Sequence, residues 1–166
     1  MLTLPKVAER PAQPYVAIQV RTTISGMKAV IDETFPKLFA WLGSHDVKPA
    51  GAPFIKYNLI NMAGIMELEF GVPTEALVAA ADDVVAAELP AGRYAQLTYW
   101  GSYDNLYDVN ALMIGWAKQK GISFDVEERP EGDWFASRLE IYVTDPGIER
   151  DTGKWETQLL IRVKDA

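Results

Sequence analysis

The chain of 166 residues contains no cysteine and a single histidine. Without cysteine there are no disulfide bonds, thiolate metal sites, iron–sulfur clusters or thiol nucleophiles. One histidine excludes metal sites and catalytic arrangements that need two imidazoles, but it leaves open a triad that uses one. His45 lies in a polar segment after a predicted helix, where a solvated or capping role is favoured over catalysis.

Basic residues are too few for a nucleic-acid-binding surface. The sequence has 16 lysines and arginines against 23 aspartates and glutamates, which gives a formal net charge of −7. Binding to a phosphate backbone depends on clustered basic side chains. We therefore expect no direct binding to nucleic acid.

Long apolar runs and cofactor motifs are also missing. Stretches such as residues 76–81 are far shorter than a membrane span, and Pro5 and Glu9 interrupt any signal-peptide core. Gly153-Lys154 is followed by Trp155, whereas a phosphate-binding loop has serine or threonine at that position. Neither the dinucleotide-binding glycine motif nor the serine-hydrolase motif occurs. These absences predict a cytoplasmic protein without cofactor, metal or membrane contact.

The length predicts one domain over residues 1–166. A chain of this size buries about 70% of its unfolded surface. The apolar share of 49% and the charged share of 23% are ordinary for a globular protein. The first thirteen residues, which are rich in proline, predict an extended arm.

Hydrophobic periodicity predicts the same order of elements in both halves. In the first half, a helical pattern begins at Ser25-Gly26 and ends near Gly43, and Pro36 is expected to kink or split it. In the second half, Gly101-Ser102 opens a helix that ends at Gly121. The predicted strands are residues 15–22, 54–60 and 64–70 in the first half and 82–89, 93–100, 134–144 and 155–163 in the second.

The likeness of the halves predicts an internal duplication with repeats at residues 14–72 and 82–164. Tyr15 corresponds to Tyr94, and Trp41 to Trp116, in the repeated order strand, helix, strand, strand. This pattern favours an α+β fold with antiparallel sheets, two main helices, pseudo-two-fold symmetry and a central groove. The alternative is a coincidental likeness of two amphipathic helices.

Glu140 is the carboxylate whose neighbours point most clearly to chemistry. Alternation along its strand places it on one face with Trp134, Arg138 and Tyr142. Aromatic rings beside a carboxylate suit a lipophilic cation, and a desolvated carboxyl group also suits general acid or base catalysis. A salt bridge between Arg138 and Glu140 is an equally open interpretation.

Other candidates are weaker. Glu67 and Glu69 share a strand face, which in most proteins is the solvated face of a half-buried strand. Trp41 and Trp116 lie on helix faces and are expected to pack in the core. The aromatic residues on strands or at strand ends, some of which could line a pocket, are Tyr57, Trp100, Tyr103, Trp134 and Tyr142.

Five segments occur in an order that is typical of one protein family. They are Gly51-Ala52-Pro53-Phe54 with Tyr57, Leu89-Pro90-Ala91-Gly92-Arg93-Tyr94-Ala95, Trp100-Gly101-Ser102-Tyr103, Arg138-Leu139-Glu140-Ile141-Tyr142-Val143-Thr144-Asp145-Pro146 and Lys154-Trp155-Glu156-Thr157. Together they resemble the GyrI-like small-molecule-binding family, the effector-binding domain of AraC-type and multidrug-responsive regulators. The resemblance covers about residues 15–163.

The resemblance implies a groove that takes lipophilic, often cationic or aromatic, molecules. The glutamate at the bottom of the groove corresponds to Glu140, and Glu67 is a further ligand-binding candidate. Relatives often carry a histidine near their Gly-x-Tyr, where this chain has Trp100 before Gly101. No helix-turn-helix accompanies the domain, so we expect the stand-alone ligand module. The aromatic residues of the groove correspond to Tyr57, Trp100, Trp134 and Tyr142.

Three hypotheses for function remain open. The first is binding of a small lipophilic compound, with Glu140 complementing its charge. The second is hydrolysis of reactive cyclopropane-containing compounds, reported for some relatives, with Glu140 as the catalytic residue and Tyr57 or Tyr142 positioning the electrophile. The third is interaction with a protein partner, as in relatives that inhibit DNA gyrase.

Overall fold

The computed structural model describes residues 1–166 as two helices and an antiparallel sheet of ten strands. Neither helix is both long and apolar enough to cross a membrane. The helices are α1 (Met27–Ser44) and α2 (Leu106–Gln119). The strands are β1 (Lys6–Arg10), β2 (Gln13–Thr22), β3 (Phe54–Ile60), β4 (Met66–Pro73), β5 (Val84–Leu89), β6 (Gly92–Trp100), β7 (Val126–Arg129), β8 (Gly132–Phe135), β9 (Arg138–Tyr142) and β10 (Glu156–Arg162).

The order of the strands reflects a duplication of the chain. The main path runs β1-β6-β10-β9-β3-β4-β2-β5, and the β7–β8 hairpin joins it through β3. The strands β1, β2, β3 and β4 of the first half correspond to β5, β6, β9 and β10 of the second half, in that order. With this correspondence, the order of strands is the same from either end of the sheet. The first strand of each half pairs with the other half, because β1 lies beside β6 and β5 lies beside β2. The predicted α+β class with duplicated halves is confirmed.

Both helices cover one face of the sheet, which we call the helix face. Leu38 and Trp41 of α1 pack against β2 and β4, and Val109 and Met113 of α2 pack against β6 and β10. These side chains recur at three- and four-residue spacing, as an amphipathic helix requires. The opposite face has its own apolar cluster, made of Tyr15, Ala17, Phe54, Tyr94, Leu139 and Leu160.

Helix α1 continues through Pro36, so of the two effects expected of this proline, a kink or a split, the split does not occur. A proline removes one backbone hydrogen bond, and its ring displaces the preceding turn. Packing on both sides offsets that loss: the Phe35 ring lies 5.1 Å from the Phe70 ring, and Leu38 is fully buried. At the end of the helix, His45 is the C-cap residue, in line with its expected role.

The predicted strand over residues 134–144 is also wrong, because the chain forms two strands there. Strand β8 pairs with β7 and the end of β3, whereas β9 pairs with β10 and the start of β3. Residues 136–137 separate the two strands and allow both pairings. Strand β7 has no clear signature in the sequence, since three of its four residues are charged. The proline-rich start of the chain supplies β1.

Candidate ligand-binding site

Strand β9 carries Glu140 into the middle of the sheet. Glu140 lies opposite Ile55 of β3 on one side and Leu159 of β10 on the other. Residues directly opposite each other in an antiparallel pair point to the same face. Leu159 packs with the core under α2, so Glu140 also points to the helix face. Only 8% of its surface is exposed, and a carboxylate buried to this degree needs polar partners.

Two neutral side chains donate hydrogen bonds to the Glu140 carboxylate. The Tyr142 hydroxyl donates to Oε2 at 2.8 Å, and Asn110 Nδ2 of α2 donates to Oε1 at 3.2 Å. Asn110 Oδ1 accepts a hydrogen bond from Arg138 Nη2 at 3.1 Å. Arg138 and Glu140 are not among the ion pairs of the molecule. The interpretation of a direct salt bridge between them is therefore wrong, because Asn110 lies between the two charges.

A cavity of about 530 Å³ adjoins Glu140, and we call it the aromatic chamber. Tyr142 lines this cavity, with the Phe35 ring 6.2 Å away and the Tyr103 ring 5.5 Å away, both edge to face. Tyr103 in turn lies against Trp155 at a ring-centroid distance of 4.6 Å. Side chains that define this chamber include Phe35, Phe39, Tyr57, Tyr103, Tyr142 and Asp145.

A second cavity of about 370 Å³ also adjoins Glu140, and we call it the methionine chamber. Tyr57 and Glu140 line both cavities, so the two chambers meet at these two residues. Arg138 lines the methionine chamber and not the aromatic one. Side chains that define the methionine chamber include Met27, Met62, Met66, Asn110, Ile114 and Arg138.

The duplication of the fold accounts for the presence of two chambers. Each chamber is lined by the beginning of one helix and the middle of the other. Met27 of α1 and Ile114 of α2 line the methionine chamber, whereas Leu106 of α2 and Phe35 of α1 line the aromatic chamber. The two chambers therefore occupy equivalent positions in the two halves, but their side chains differ.

A 3₁₀ turn before each helix brings one more side chain into each chamber. The Thr23 hydroxyl caps the turn before α1, and the Ser102 hydroxyl caps the turn before α2, each by accepting a hydrogen bond from a backbone N–H. These turns place Ile24 in the methionine chamber and Tyr103 in the aromatic chamber.

Burial keeps the tyrosine hydroxyls of the site protonated. Burial, with the nearby Glu140 carboxylate, raises the pKa of Tyr57 and of Tyr142 well above the usual value. Burial and the neighbouring Asp145 raise the pKa of Tyr103 to about 12. These tyrosines are therefore neutral hydrogen-bond donors at neutral pH. No cluster of three or more aspartate, glutamate or histidine side chains is placed to hold a metal ion.

Three of the predicted site residues come together in the structure. Glu140 and Tyr57 line both chambers, and Tyr142 lines the aromatic chamber. Tyr142 and Glu140 are two residues apart on β9, so strand alternation alone places them on one face. Tyr57 reaches the same place from the neighbouring strand β3.

The two predicted tryptophans line neither chamber. Trp100 is the last residue of β6 and lies opposite Glu156 of β10, away from the central strands. Trp134 lies on β8, where the Arg129 guanidinium is 4.4 Å from its ring centre. The break between β8 and β9 removes Trp134 from the strand that carries Glu140.

Glu67 lies on the opposite face of the sheet from both chambers. It follows Met66, which lines the methionine chamber, and successive strand residues point to opposite faces. Its carboxylate is 3.4 Å from Arg21 Nε. Glu69 shares this face, is 4% exposed and accepts a hydrogen bond from the Tyr15 hydroxyl at 2.8 Å. Neither carboxylate lines a chamber, and the burial of Glu69 shows that the expectation of a solvated strand face is wrong for this residue.

Asn110 and Phe35 complete the site without having been indicated by the sequence motifs. Phe35 belongs to an apolar row with Ile31 and Phe39 at four-residue spacing on α1, and Asn110 lies one turn before Ile114 on α2. Apolar residues beyond the core-facing stripe indicate that a helix covers a second surface. This broader apolar stripe, in which Phe39 is 43% exposed, is the feature of the sequence that indicates a second surface at Phe35.

The fold and the paired chambers define a small-molecule-binding domain. The GyrI-like small molecule binding domain matches residues 4–164 of the chain. The protein therefore belongs to the GyrI-like family, as its sequence motifs indicate. No curated protein matches the sequence.

Solved structures share the fold at low sequence identity. EcmrR in its complex with DNA has 14% identity and a TM-score of 0.78 over 98% of this chain, which spans 58% of the length of EcmrR. SAV2435 bound to tetraphenylphosphonium has 12% identity and a TM-score of 0.61, with 98% of this chain and 94% of SAV2435 covered. A hydrolase from Listeria innocua has 12% identity and a TM-score of 0.61, with 96% of this chain and 91% of the hydrolase covered.

Proposed function

We propose that this protein binds a lipophilic cation in the aromatic chamber. The positive charge lies beside Glu140, and the apolar groups of the ligand contact the rings of Phe35, Tyr103 and Tyr142. Ring faces attract a cation by about 0.5–2 kcal/mol each, more when the site is desolvated. Phosphonium and quaternary ammonium compounds with aromatic or alkyl groups belong to this class. Binding without turnover would sequester such a compound.

The observation that carries the proposal is a buried carboxylate that no cation contacts directly. Glu140 is 8% exposed, and its hydrogen-bond donors, Tyr142 and Asn110, are neutral. A carboxylate held out of water is costly unless a positive charge compensates it. Arg138 reaches Glu140 only through Asn110, so a ligand cation entering the chamber would supply the first positive charge in direct contact with the carboxylate.

The other features of the aromatic chamber support the same ligand class. Asp145 adds a second carboxylate at the chamber, and Arg138 lies outside it. The buried Glu140 and the exposed Asp145 both contribute negative potential at the chamber, which favours cations. SAV2435, which has a similar fold, has been solved with the lipophilic cation tetraphenylphosphonium.

The test is a calorimetric titration with tetraphenylphosphonium, comparing the native protein with Glu140→Gln. We expect the substitution to weaken binding by about 30-fold, or about 2 kcal/mol, because it removes one partner of a desolvated charge pair. The neutral analogue triphenylphosphine oxide should bind both proteins within about three-fold of each other, since it has no net charge for Glu140 to complement.

Glu67→Gln is the matched control. It changes the net charge by the same amount, but Glu67 lies on the other face of the sheet and lines neither chamber. We expect its affinity for tetraphenylphosphonium to stay within about two-fold of the native value, as for an exposed charge. Equal losses in both variants would show an effect of net charge alone and would contradict the proposal.

Hydrolysis is the second candidate, favoured by the tyrosine hydroxyl on Glu140. The carboxylate could activate water while the Tyr142 hydroxyl, 2.8 Å from Oε2, positions an electrophile. A hydrolase from Listeria innocua has a similar fold. Incubation with a cyclopropane-containing electrophile separates the two candidates. Product in excess over protein, abolished by Glu140→Gln, would support hydrolysis, whereas one equivalent of bound, unchanged compound would support binding.

A further inference from the structure

We propose that the methionine chamber is a second subsite, in which Arg138 binds a carboxylate, sulfonate or similar anionic oxygen group of an apolar molecule. The proposal rests on the proposed function, because it assumes that the groove admits small lipophilic molecules. It adds a second polar group to the ligand class. The preferred ligand would carry a cation for the aromatic chamber and an anionic oxygen for the methionine chamber.

The Arg138 guanidinium has more hydrogen-bond donors than the protein satisfies. A guanidinium carries five N–H groups in a fixed plane. One of its nitrogens donates to Asn110 Oδ1 at 3.1 Å, and no other acceptor in the protein bonds to the group. Arg138 also belongs to none of the ion pairs of the molecule. Arg138 lines the methionine chamber, where its remaining N–H groups could donate to two oxygens of one ligand group.

The guanidinium is held in place before any ligand arrives. Arg138 begins β9 and pairs with Ile161 of β10, which fixes its backbone. Its Cζ lies 4.8 Å from the centre of the Phe135 ring, and Asn110 holds one nitrogen. An arginine that is already positioned loses less conformational entropy on binding an anion than a mobile surface arginine does.

The equivalent positions of the two chambers make their chemical difference informative. The aromatic chamber has Asp145 and a set of rings, which suit a cation. The methionine chamber has Arg138, and its apolar wall includes Met27, Met62 and Met66. Methionine side chains are flexible and polarisable, so they adapt to ligands of different shape. Two halves of one duplicated fold therefore present opposite charges on either side of Tyr57 and Glu140.

Substitution of Glu140 should change the binding of anions and of cations in opposite directions. It lines both chambers, so an anion on Arg138 is repelled by the Glu140 carboxylate. Glu140→Gln should therefore strengthen the binding of an anion while it weakens the binding of a cation. A site that recognises only apolar shape would respond to neither charge.

The experiment uses three probes of one shape: biphenyl-4-carboxylate, biphenyl-4-methanol and biphenyl-4-methylammonium. Arg138→Met keeps an unbranched apolar side chain in place, and Arg138→Lys keeps the charge but loses the planar fork. We expect Arg138→Met to weaken binding of the carboxylate by about ten-fold or more, since it removes a charge-assisted contact. Arg138→Lys should weaken carboxylate binding by less, and the affinity for the alcohol should change by less than about three-fold in either variant. Glu140→Gln should strengthen binding of the carboxylate and weaken binding of the ammonium.

Methyl NMR of the five methionines locates the bound carboxylate. The methyl signals of Met27, Met62 and Met66 should shift, whereas the fully buried Met113 and the exposed Met1 serve as internal references.

The outcomes separate the two proposals. If the ammonium binds and depends on Glu140, but the carboxylate does not bind or is unaffected by Arg138→Met, the subsite is overturned and the proposed function stands. The subsite is also overturned if the carboxylate shifts none of the three chamber methionines. If none of the three biphenyl probes binds the native protein but tetraphenylphosphonium does, the subsite is overturned and the proposed function stands. If tetraphenylphosphonium does not bind either, the proposed function fails, and the subsite fails with it.

Discussion

At the scale of single residues, the two carboxylates of the aromatic chamber differ in their contact with water. Glu140 is 8% exposed at the inner end of the chamber, whereas Asp145 is exposed and lies in the turn after β9. Mobile ions screen an exposed charge but reach a buried one much less. The two residues should therefore affect a cationic ligand in different ways.

We expect Asp145→Asn to weaken tetraphenylphosphonium binding by about two- to five-fold at low ionic strength and by less than about two-fold in ~0.5 M salt. The effect of Glu140→Gln should persist in high salt, because its carboxylate is desolvated. Calorimetric titrations of both variants at two salt concentrations measure the difference. A loss in Asp145→Asn that is independent of salt would show that this carboxylate contacts the ligand in a dry site.

Alternation along a strand made part of the site predictable. It placed Glu140, Tyr142 and Arg138 on one face, and this arrangement is observed. One continuous strand would also place Trp134 on this face, but β8 and β9 are separate strands, so Trp134 lies elsewhere. Asn110 reaches Glu140 from α2, and no pattern within a single element reveals a contact between residues 30 positions apart.

At the scale of elements, the central strands are held together by a close approach of Phe54 to Gly71. These residues lie opposite each other on β3 and β4. A Cβ atom on Gly71 would lie 2.5 Å from Cζ of the Phe54 ring, so the ring occupies the space of the missing side chain. Phe54 also packs edge to face on Tyr15 at 5.4 Å. This contact fixes β3, which carries Tyr57, against its neighbour.

We expect Gly71→Ala to lower the free energy of unfolding by about 1–3 kcal/mol, because the buried Phe54 ring must move. Gly115→Ala is the matched control: Gly115 lies within α2, and a Cβ atom added there would meet no neighbouring atom within 4 Å. This control should raise the free energy of unfolding by about 0.5–1 kcal/mol, since alanine favours the helix. Urea denaturation measures both, and equal effects would contradict the packing role of Gly71.

Local periodicity was sufficient for most elements, and long-range pairing decided the rest. Both helices and the strands β2, β3, β5, β6 and β10 lie close to their predicted positions, because each carries a clear apolar period. The break after Phe135 depends on which strands β8 and β9 pair with, and this information is not local. Pro36 is a similar case, because the tertiary packing of Phe35 and Leu38 maintains a helix that the local rule would interrupt.

At the scale of the whole molecule, duplication turned one groove into two chambers that meet at the centre. The path of strands reads the same from either end, and each chamber takes its wall from both helices. Partly or fully buried tyrosines lie on both sides of the sheet: Tyr57, Tyr103 and Tyr142 at the chambers, and Tyr15 and Tyr94 on the opposite face. Their raised pKa values couple the stability of the molecule to alkaline pH.

A tyrosine whose pKa is raised by folding stabilises the folded state below the unfolded value near ~10, and this stability is lost as the pH rises through the folded value. We therefore expect the free energy of unfolding to fall above about pH 10. The pKa of Tyr103 is raised to about 12, so its contribution to stability is lost between about pH 10 and about pH 12. Urea denaturation at stepped pH measures it. Tyr103→Phe should make the fall less steep, whereas Tyr107→Phe, at a residue that is 72% exposed, should not.

The proposed function places a lipophilic cation in the aromatic chamber, with its charge beside Glu140. A crystal structure of the protein with tetraphenylphosphonium would show where the cation lies. We expect the phosphonium centre next to the Glu140 carboxylate, with phenyl groups against Phe35, Tyr103 and Tyr142. Density for the cation elsewhere on the protein, with the aromatic chamber free of it, would contradict the proposed function.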